Sequence, residues 1–448
     1  MLSELYSKWM FSWETALTTR DTNRIVRPLE WGFDWLGEFG EPGAAVVAAG
    51  AGKQAAGVVS SGAAASSGGA RGSAGMATAA DAPVFDDGRS GGNDSGSDGE
   101  GLERMVAANR AIVERADEFF GYETPTDFRL ERRCPQLFPT NVRPETLAQD
   151  AELKRRAAAG ELEEAEFLRF TSAVRTCHPE NDVVNARWYP APEPSASKNE
   201  RQKGKPKQAI IVMPQWNADA FSHNALCTLF NRFGISALRL SKPFHDIRRP
   251  SELERSDYAV SANIGRTTEA CRQAVVDVRS CIDWLETEGY EQFGVLGTSL
   301  GSCYAFIAAA HDARLRVCAF NHASTWFGDV VWTGQSTRHI RAAFEQAGLT
   351  RDQVRKIFTG ISPMSYMERF AAHQRRVLVV HATYDLTFLR EFSLDVLANF
   401  DRCGIDYVSK VLPCGHYTTG ETPYKYIDGW YLGSFVYGAF KRLAEEAA

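Results

Sequence analysis

Ser299 lies between Gly297 and Gly301 in the run Gly-Thr-Ser-Leu-Gly, with the apolar stretch FGVLG (293–297) before it and the Ala-rich stretch LGSCYAFIAAA after it. A serine hydroxyl alone is a weak nucleophile. It needs a base to take its proton and an acid to orient the base. A tight turn from strand to helix, with a glycine on each side, presents such a hydroxyl clear of the backbone. Two later residues complete the set. Asp385 stands three residues past RRVLVVHA (375–382), and His416 follows DYVSKVL after a Pro-Cys-Gly turn. The chemistry this set supports is acyl transfer: Ser299 attacks a carbonyl, His416 takes its proton, and Asp385 holds the imidazole and stabilises its charged form.

Competing assignments exist. His322 ends RVCAFNH and is the alternative base, or a residue lining the pocket. Asp329 is the alternative acid. His381 sits in a strand and reads as a packed histidine or part of the site wall. Cys303 lies four residues into the helix and is not at the elbow. The oxyanion of a tetrahedral intermediate needs donors, and the first is the backbone N–H of Leu300 at a helix N-terminus. The second should follow AIIVM (209–213), where the chain reads Pro214-Gln215-Trp216-Asn217. Proline has no N–H, which leaves Gln215 or Trp216, with Trp216 further round the turn. The other reading is a bulky turn that only shapes the pocket.

Positioning these residues calls for a scaffold. Apolar runs at 209–213, 235–240, 293–297, 316–321, 375–382 and 406–412 alternate with helical stretches. Strands alternating with helices of this length predict an α/β fold, a mostly parallel sheet covered on both faces. FLRFTSAVRT and VVNARWYP read as two earlier strands that extend it in antiparallel fashion. The predicted organisation is an aromatic-rich helical segment (1–38), a Gly/Ala/Ser-rich disordered linker (39–101), a helical lead-in (102–166) and a main domain (167–446). About fifty residues separate the strand ending near Asn321 from RRVLVVHA, far more than a usual connection. Residues 324–372 are therefore expected to form a helical cap over Ser299, with Trp326, Phe327 and Trp332 as candidates for the pocket wall.

Composition narrows the function classes. A net charge of −6 gives no footprint for nucleic acid. No apolar run is long enough to span a bilayer, and the first residues lack the pattern of a signal peptide. Nine scattered cysteines without a C-x-x-C pair suggest reduced thiols, a cytoplasmic location and no zinc site. Nothing calls for a metal or organic cofactor. Trp9, Phe11, Trp13, Trp31, Phe33 and Trp35 want a surface, either the main domain or, as the alternative, a membrane contacted peripherally.

The set Ser299 in GTSLG, Asp385 in HATYD and His416 in GHY resembles the α/β-hydrolase superfamily over roughly 167–446. LSKPFHDIRRPSEL, followed by WLETEGYEQFGVLGTSLGS, is similar to the family of α/β-hydrolase domain-containing protein 18. The superfamily resemblance implies an α/β-hydrolase fold and a serine hydrolase acting on an ester, thioester or amide. The closer one tilts the substrate towards lipid esters. Many relatives carry His-Gly where this chain has Gln215-Trp216, which leaves the second oxyanion donor open. The alternatives of another class are transfer of the acyl group to an acceptor other than water, and a binding module that has kept the fold without the chemistry.

Overall fold

The structure is a computed structural model and describes residues 2–42, 98–192 and 206–447. It begins with α1 (Leu2–Thr19), a 3₁₀ segment (Phe33–Gly40) and α2 (Asp98–Glu114). Next come β1 (Arg129–Arg133), α3 (Pro144–Ala158), β2 (Ala165–Thr171), β3 (Val183–Tyr189), β4 (Gln208–Met213), α4 (Asn224–Arg232) and β5 (Ser236–Ser241). The central part is α5 (Ile264–Thr287), β6 (Gln292–Thr298), α6 (Leu300–His311) and β7 (Leu315–Asn321). Helices α7 (Phe327–Thr333), α8 (Arg338–Gln346) and α9 (Arg351–Ile357) precede β8 (Arg376–Ala382), α10 (Arg390–Arg402), β9 (Tyr407–Leu412) and α11 (Tyr424–Glu446).

Among the described residues, nine strands form one sheet in the order β1-β2-β3-β5-β4-β6-β7-β8-β9. From β5 to β9 every neighbouring pair is parallel, and β1, β2 and β3 continue the sheet by antiparallel pairing. This is the α/β-hydrolase fold. The central strands are apolar runs because both faces are covered: every residue of β5 is buried, and so are five consecutive residues of β6. One face packs under α2, α5, α6 and α10, and the other under α4, α11 and Met10 of α1. After β4 the chain runs first to β5 on one side, and β6 then lies on the other. The carboxyl ends of β4 and β6 therefore flank a crevice, the place where open sheets of this kind build sites.

Two expectations need correction. The lead-in 102–166 is not wholly helical. Its last helix stops at Ala158, and β1 lies within it. The sequence of β1, Arg-Leu-Glu-Arg-Arg, has no apolar alternation because it is an edge strand paired on one side only, with mostly charged side chains in solvent. The linker expected over 39–101 lies outside the described residues from 43 to 97. At its two ends, Phe39 packs in the core and α2 already begins at Asp98.

The aromatic N-terminal segment packs on the main domain through part of its surface. Met10, Leu36 and Phe39 are buried, and Trp31 and Phe33 lie against the core. Residues 30–32 run along the start of α5, with Ile264 and Gly265 N–H donating to Glu30 and Trp31 carbonyls at 3.0 and 2.9 Å. A Cβ at Gly265 would sit 1.7 Å from the Gly32 carbonyl oxygen, so only glycine admits this strap. Leu5, Trp9 and Phe11 remain exposed.

Candidate active site

Strand β6 delivers Ser299 to the crevice, and α6 carries the chain away. Ser299 has φ 57° and ψ −120°, a conformation that L-residues rarely adopt and that surrounding structure must impose. Its N–H donates to the Asn321 carbonyl at 2.8 Å. The two glycines permit the turn. A Cβ at Gly297 would lie 2.2 Å from the Gly301 carbonyl oxygen, and one at Gly301 would lie 2.2 Å from that of Met213.

Asp385 follows β8 and is buried. Its Oδ1 accepts the N–H groups of Thr387 and Phe388 at 2.8 and 2.7 Å. Its Oδ2 accepts Nδ1–H of His416 at 2.9 Å. His416 Nε2 lies 2.9 Å from Ser299 Oγ. With Nδ1 donating to the carboxylate, the neutral imidazole leaves Nε2 free to accept the serine proton. The His416 ring is nearly parallel to Phe388, with centroids 5.3 Å apart.

His322 is placed differently from expectation. Its Nδ1 donates to the same Oδ2 of Asp385 at 2.9 Å, and its Nε2 faces Thr419 Oγ1 at 3.2 Å. Both ring nitrogens are thus engaged away from Ser299, and His322 is buried behind the acid rather than in the pocket wall. Asp329, the alternative acid, is buried on α7 and held by Arg351 and Arg355 at 3.2 and 2.5 Å. His381 is buried, and its Nδ1 has no hydrogen-bond partner among the described residues.

The electrostatics follow from this geometry. Burial opposes ionisation of Asp385, but the two histidines outweigh it and hold the carboxyl well below its usual range. Burial disfavours the charged form of His416, yet Asp385 and, more weakly, Glu14 raise it above 6.5 overall. Burial and the nearby His416 push His322 down, so it stays neutral. His322, Asp385 and His416 are also the one cluster of three residues of metal-ligating type found among the described residues. Their mutual hydrogen bonds occupy the ligating atoms.

Across the crevice, the turn after β4 carries Gln215 and Trp216. Leu300 opens α6, so its N–H is among those left without an intrahelical partner. The 214–217 turn is fixed from behind by residues that the sequence pattern did not single out one by one. Buried Lys242 donates to the Gln215 carbonyl at 3.0 Å. His245 Nε2 accepts Asn217 N–H at 3.3 Å, while its Nδ1 donates to the Pro243 carbonyl at 2.8 Å. Asn217 Oδ1 accepts Ser256 N–H at 2.8 Å, and Trp216 Nε1 donates to the Ser256 carbonyl at 2.9 Å. The stretch LSKPFHDIRRP therefore wraps the back of this turn.

A cleft of about 480 Å³ opens over Ser299 and Leu300. Its walls include Trp216, Val260 and Phe388, and from the inserted segment Phe327, Val330 and Val331. Of the three aromatic residues expected there, Phe327 lines the cleft. Trp326 and Trp332 do not: each lies under a guanidinium, Arg355 and Arg341 respectively, with 5.5 and 5.2 Å to the ring centroids. The reason is helical period. Positions 327, 330 and 331 share one face of α7, and 326 and 332 fall off it.

The family model for Alpha/beta hydrolase domain containing 18 matches residues 222–333, about a quarter of the chain. The "Uncharacterized 31.7 kDa protein in traX-finO intergenic region" of Escherichia coli is 31% identical over 94 residues. That match takes in 19% of this chain and 32% of that protein, so the chain spans about a third of its curated relative. Among solved structures, the acetyl xylan esterase from Paenibacillus sp. R4 is 12% identical, covers 72% of this chain and 92% of its own, and has a TM-score of 0.48. The Pyrococcus horikoshii acylaminoacyl peptidase is 12% identical, with 61% and 46% of the two chains covered and a TM-score of 0.45. From α4 to the end of α7, the chain is similar to the α/β-hydrolase domain containing 18 family.

Proposed function

We propose that this protein is a serine hydrolase that cleaves a carboxylic ester through an acyl-enzyme. The observation that carries the reading is the unbroken chain from Ser299 Oγ through His416 to Asp385, 2.9 Å at each link, with the serine on a strained elbow. In this mechanism Ser299 attacks the carbonyl carbon as its proton passes to His416 Nε2. The resulting imidazolium is stabilised by the Asp385 carboxylate, which remains ionised. The oxyanion lies against the Leu300 N–H at the start of α6, with the Trp216 or Gln215 N–H as second donor. His416 then gives its proton to the leaving alcohol. Water repeats the sequence on the acyl-enzyme and frees the acid.

The cleft suits an apolar acyl group, since Val260, Phe327, Val330, Val331 and Phe388 line it. The substrate class we favour is therefore an ester with a hydrophobic acyl chain, a lipid ester among them. The test is labelling of Ser299 by a fluorophosphonate, followed by turnover of a series of esters graded in acyl length. Ser299→Ala is expected to abolish labelling and reduce kcat by about 10⁴-fold or more. Undiminished labelling of that variant would overturn the assignment.

A further inference from the structure

We propose that Glu14, on the first helix of the chain, is a positioning residue for His416. This rests on the reading of His416 as the base. Glu14 is fully buried. Its Oε1 accepts the N–H of Tyr417 at 2.8 Å and its Oε2 accepts the N–H of Thr418 at 2.9 Å, across more than four hundred residues of sequence. Each carboxyl oxygen thus holds one of the two peptide groups that directly follow His416. On the other flank of the histidine, a Cβ at Gly415 would lie 2.4 Å from the Glu14 carboxyl carbon. Gly415 is the residue that lets the carboxyl reach the loop.

The rest of α1 ties the same helix to both loops of the triad. Tyr6 Oη donates to the Pro413 carbonyl at 2.5 Å, and Ser7 Oγ lies 3.0 Å from the hydroxyl of Tyr384, the neighbour of Asp385. Tyr384 N–H in turn donates to the Cys414 carbonyl at 2.9 Å.

A buried N–H without an acceptor is unfavourable, and a carboxyl group that satisfies two at once fixes their direction strongly. Without Glu14, the Tyr417 and Thr418 N–H groups would turn to find other acceptors and carry His416 with them. The imidazole must keep Nε2 on Ser299 and Nδ1 on Asp385 together, a constraint of a few tenths of an ångström. The ionisable groups facing His416 are Asp385, Glu14, His322 and Tyr417; those facing Glu14 are His416, Asp385 and Cys414. Burial pushes the Glu14 carboxyl up from its usual range, while the Tyr417 and Thr418 N–H groups and His416 favour its ionised form; in that form it adds to Asp385 in favouring the imidazolium.

The experiment uses the full chain with fluorophosphonate labelling, ester turnover, its pH profile and thermal unfolding. Glu14→Ala is expected to slow labelling and lower kcat by about 10²-fold, the size of effect an ångström of misplacement produces, with KM changed less than about twofold. Glu14→Gln keeps the shape and one oxygen acceptor. Its kcat should fall between those of wild type and Glu14→Ala, and the acid limb of kcat/KM should move to lower pH, because a charge that favours protonated His416 is gone. If Glu14→Ala fails to fold, Glu14→Gln alone decides. A variant that melts earlier yet keeps the wild-type kcat and acid limb overturns the proposal. If wild-type Ser299 itself resists labelling, the reading of the active site fails instead.

Discussion

Asp385 Oδ2 receives two imidazoles, and the two contacts have different consequences. His416 links the acid to Ser299, whereas His322 links it to Thr419 and the interior. Asp385→Asn should leave the fold intact and lower kcat by about 10⁴-fold, because an amide can stabilise the wrong tautomer of His416 and cannot balance its charge. His322→Phe removes one of four hydrogen bonds to the carboxylate. A hydrogen bond to a charged group contributes about 1.5–3 kcal/mol, so the loss in kcat should stay within roughly 10²-fold, measured by steady-state ester hydrolysis. The reverse ranking would make His322, not His416, the group that matters. Because Asp385 raises His416 above 6.5, and the reaction needs the neutral base, kcat/KM should climb with pH through a limb lying above the ordinary histidine value. At this scale the hydrogen-bonded set Ser299, His416 and Asp385 was legible as a candidate site because its three members each follow an apolar run, in a fixed order. Two residues were not legible in these roles. His322 was visible at the end of β7, but only the adjacency of β7 and β8 brings it onto Asp385. Glu14 carries no local sign of its partner at all.

Elements decide which of several plausible residues reach the cleft. On α7 the apolar set Phe327, Val330 and Val331 has the i, i+3, i+4 spacing of one helical face, and that face is the one over Ser299. Weighting aromatic character above period is what drew attention to Trp326 and Trp332. Phe327→Ala should therefore change the ratio of kcat/KM for long and short acyl esters, while Trp332→Ala leaves the ratio unchanged and affects only stability. The elbow is a second case. Gly301→Ala places a methyl group against the Met213 and Pro214 carbonyls. Relief requires α6 to move away from the end of β4, so labelling of Ser299 should be lost even if the protein stays folded. The inner strands of the parallel sheet were readable from composition alone because burial on both faces demands apolar runs. Strand β1 was hidden because nothing about an exposed edge demands them.

The whole molecule adds constraints that no single element carries. Arg248 and Asp277 are both fully buried and joined at 2.8 Å, with Ser172 completing the carboxylate's partners at 2.7 Å. The pair ties the stretch after β5 to α5 and to the loop after β2. Asp277→Ala strands a buried guanidinium and should lower stability by about 3–5 kcal/mol in urea unfolding. Replacing both residues by apolar ones of similar size should recover most of that loss. Such long-range pairing was beyond the sequence, since either residue alone reads as an ordinary surface charge. The first and last helices also meet: the hydroxyls of Tyr6 and Tyr424 lie 2.7 Å apart, and Met10 is sealed beneath them. That junction stands outside the strand ladder, so it can open without breaking a rung of the sheet. Regions with few buried partners of their own open at lower free energy than the core. On gradual denaturation, hydrolytic competence should therefore vanish at a lower urea concentration than far-ultraviolet ellipticity. The protein would pass through a state that still looks native to a spectrometer while its histidine has already come adrift.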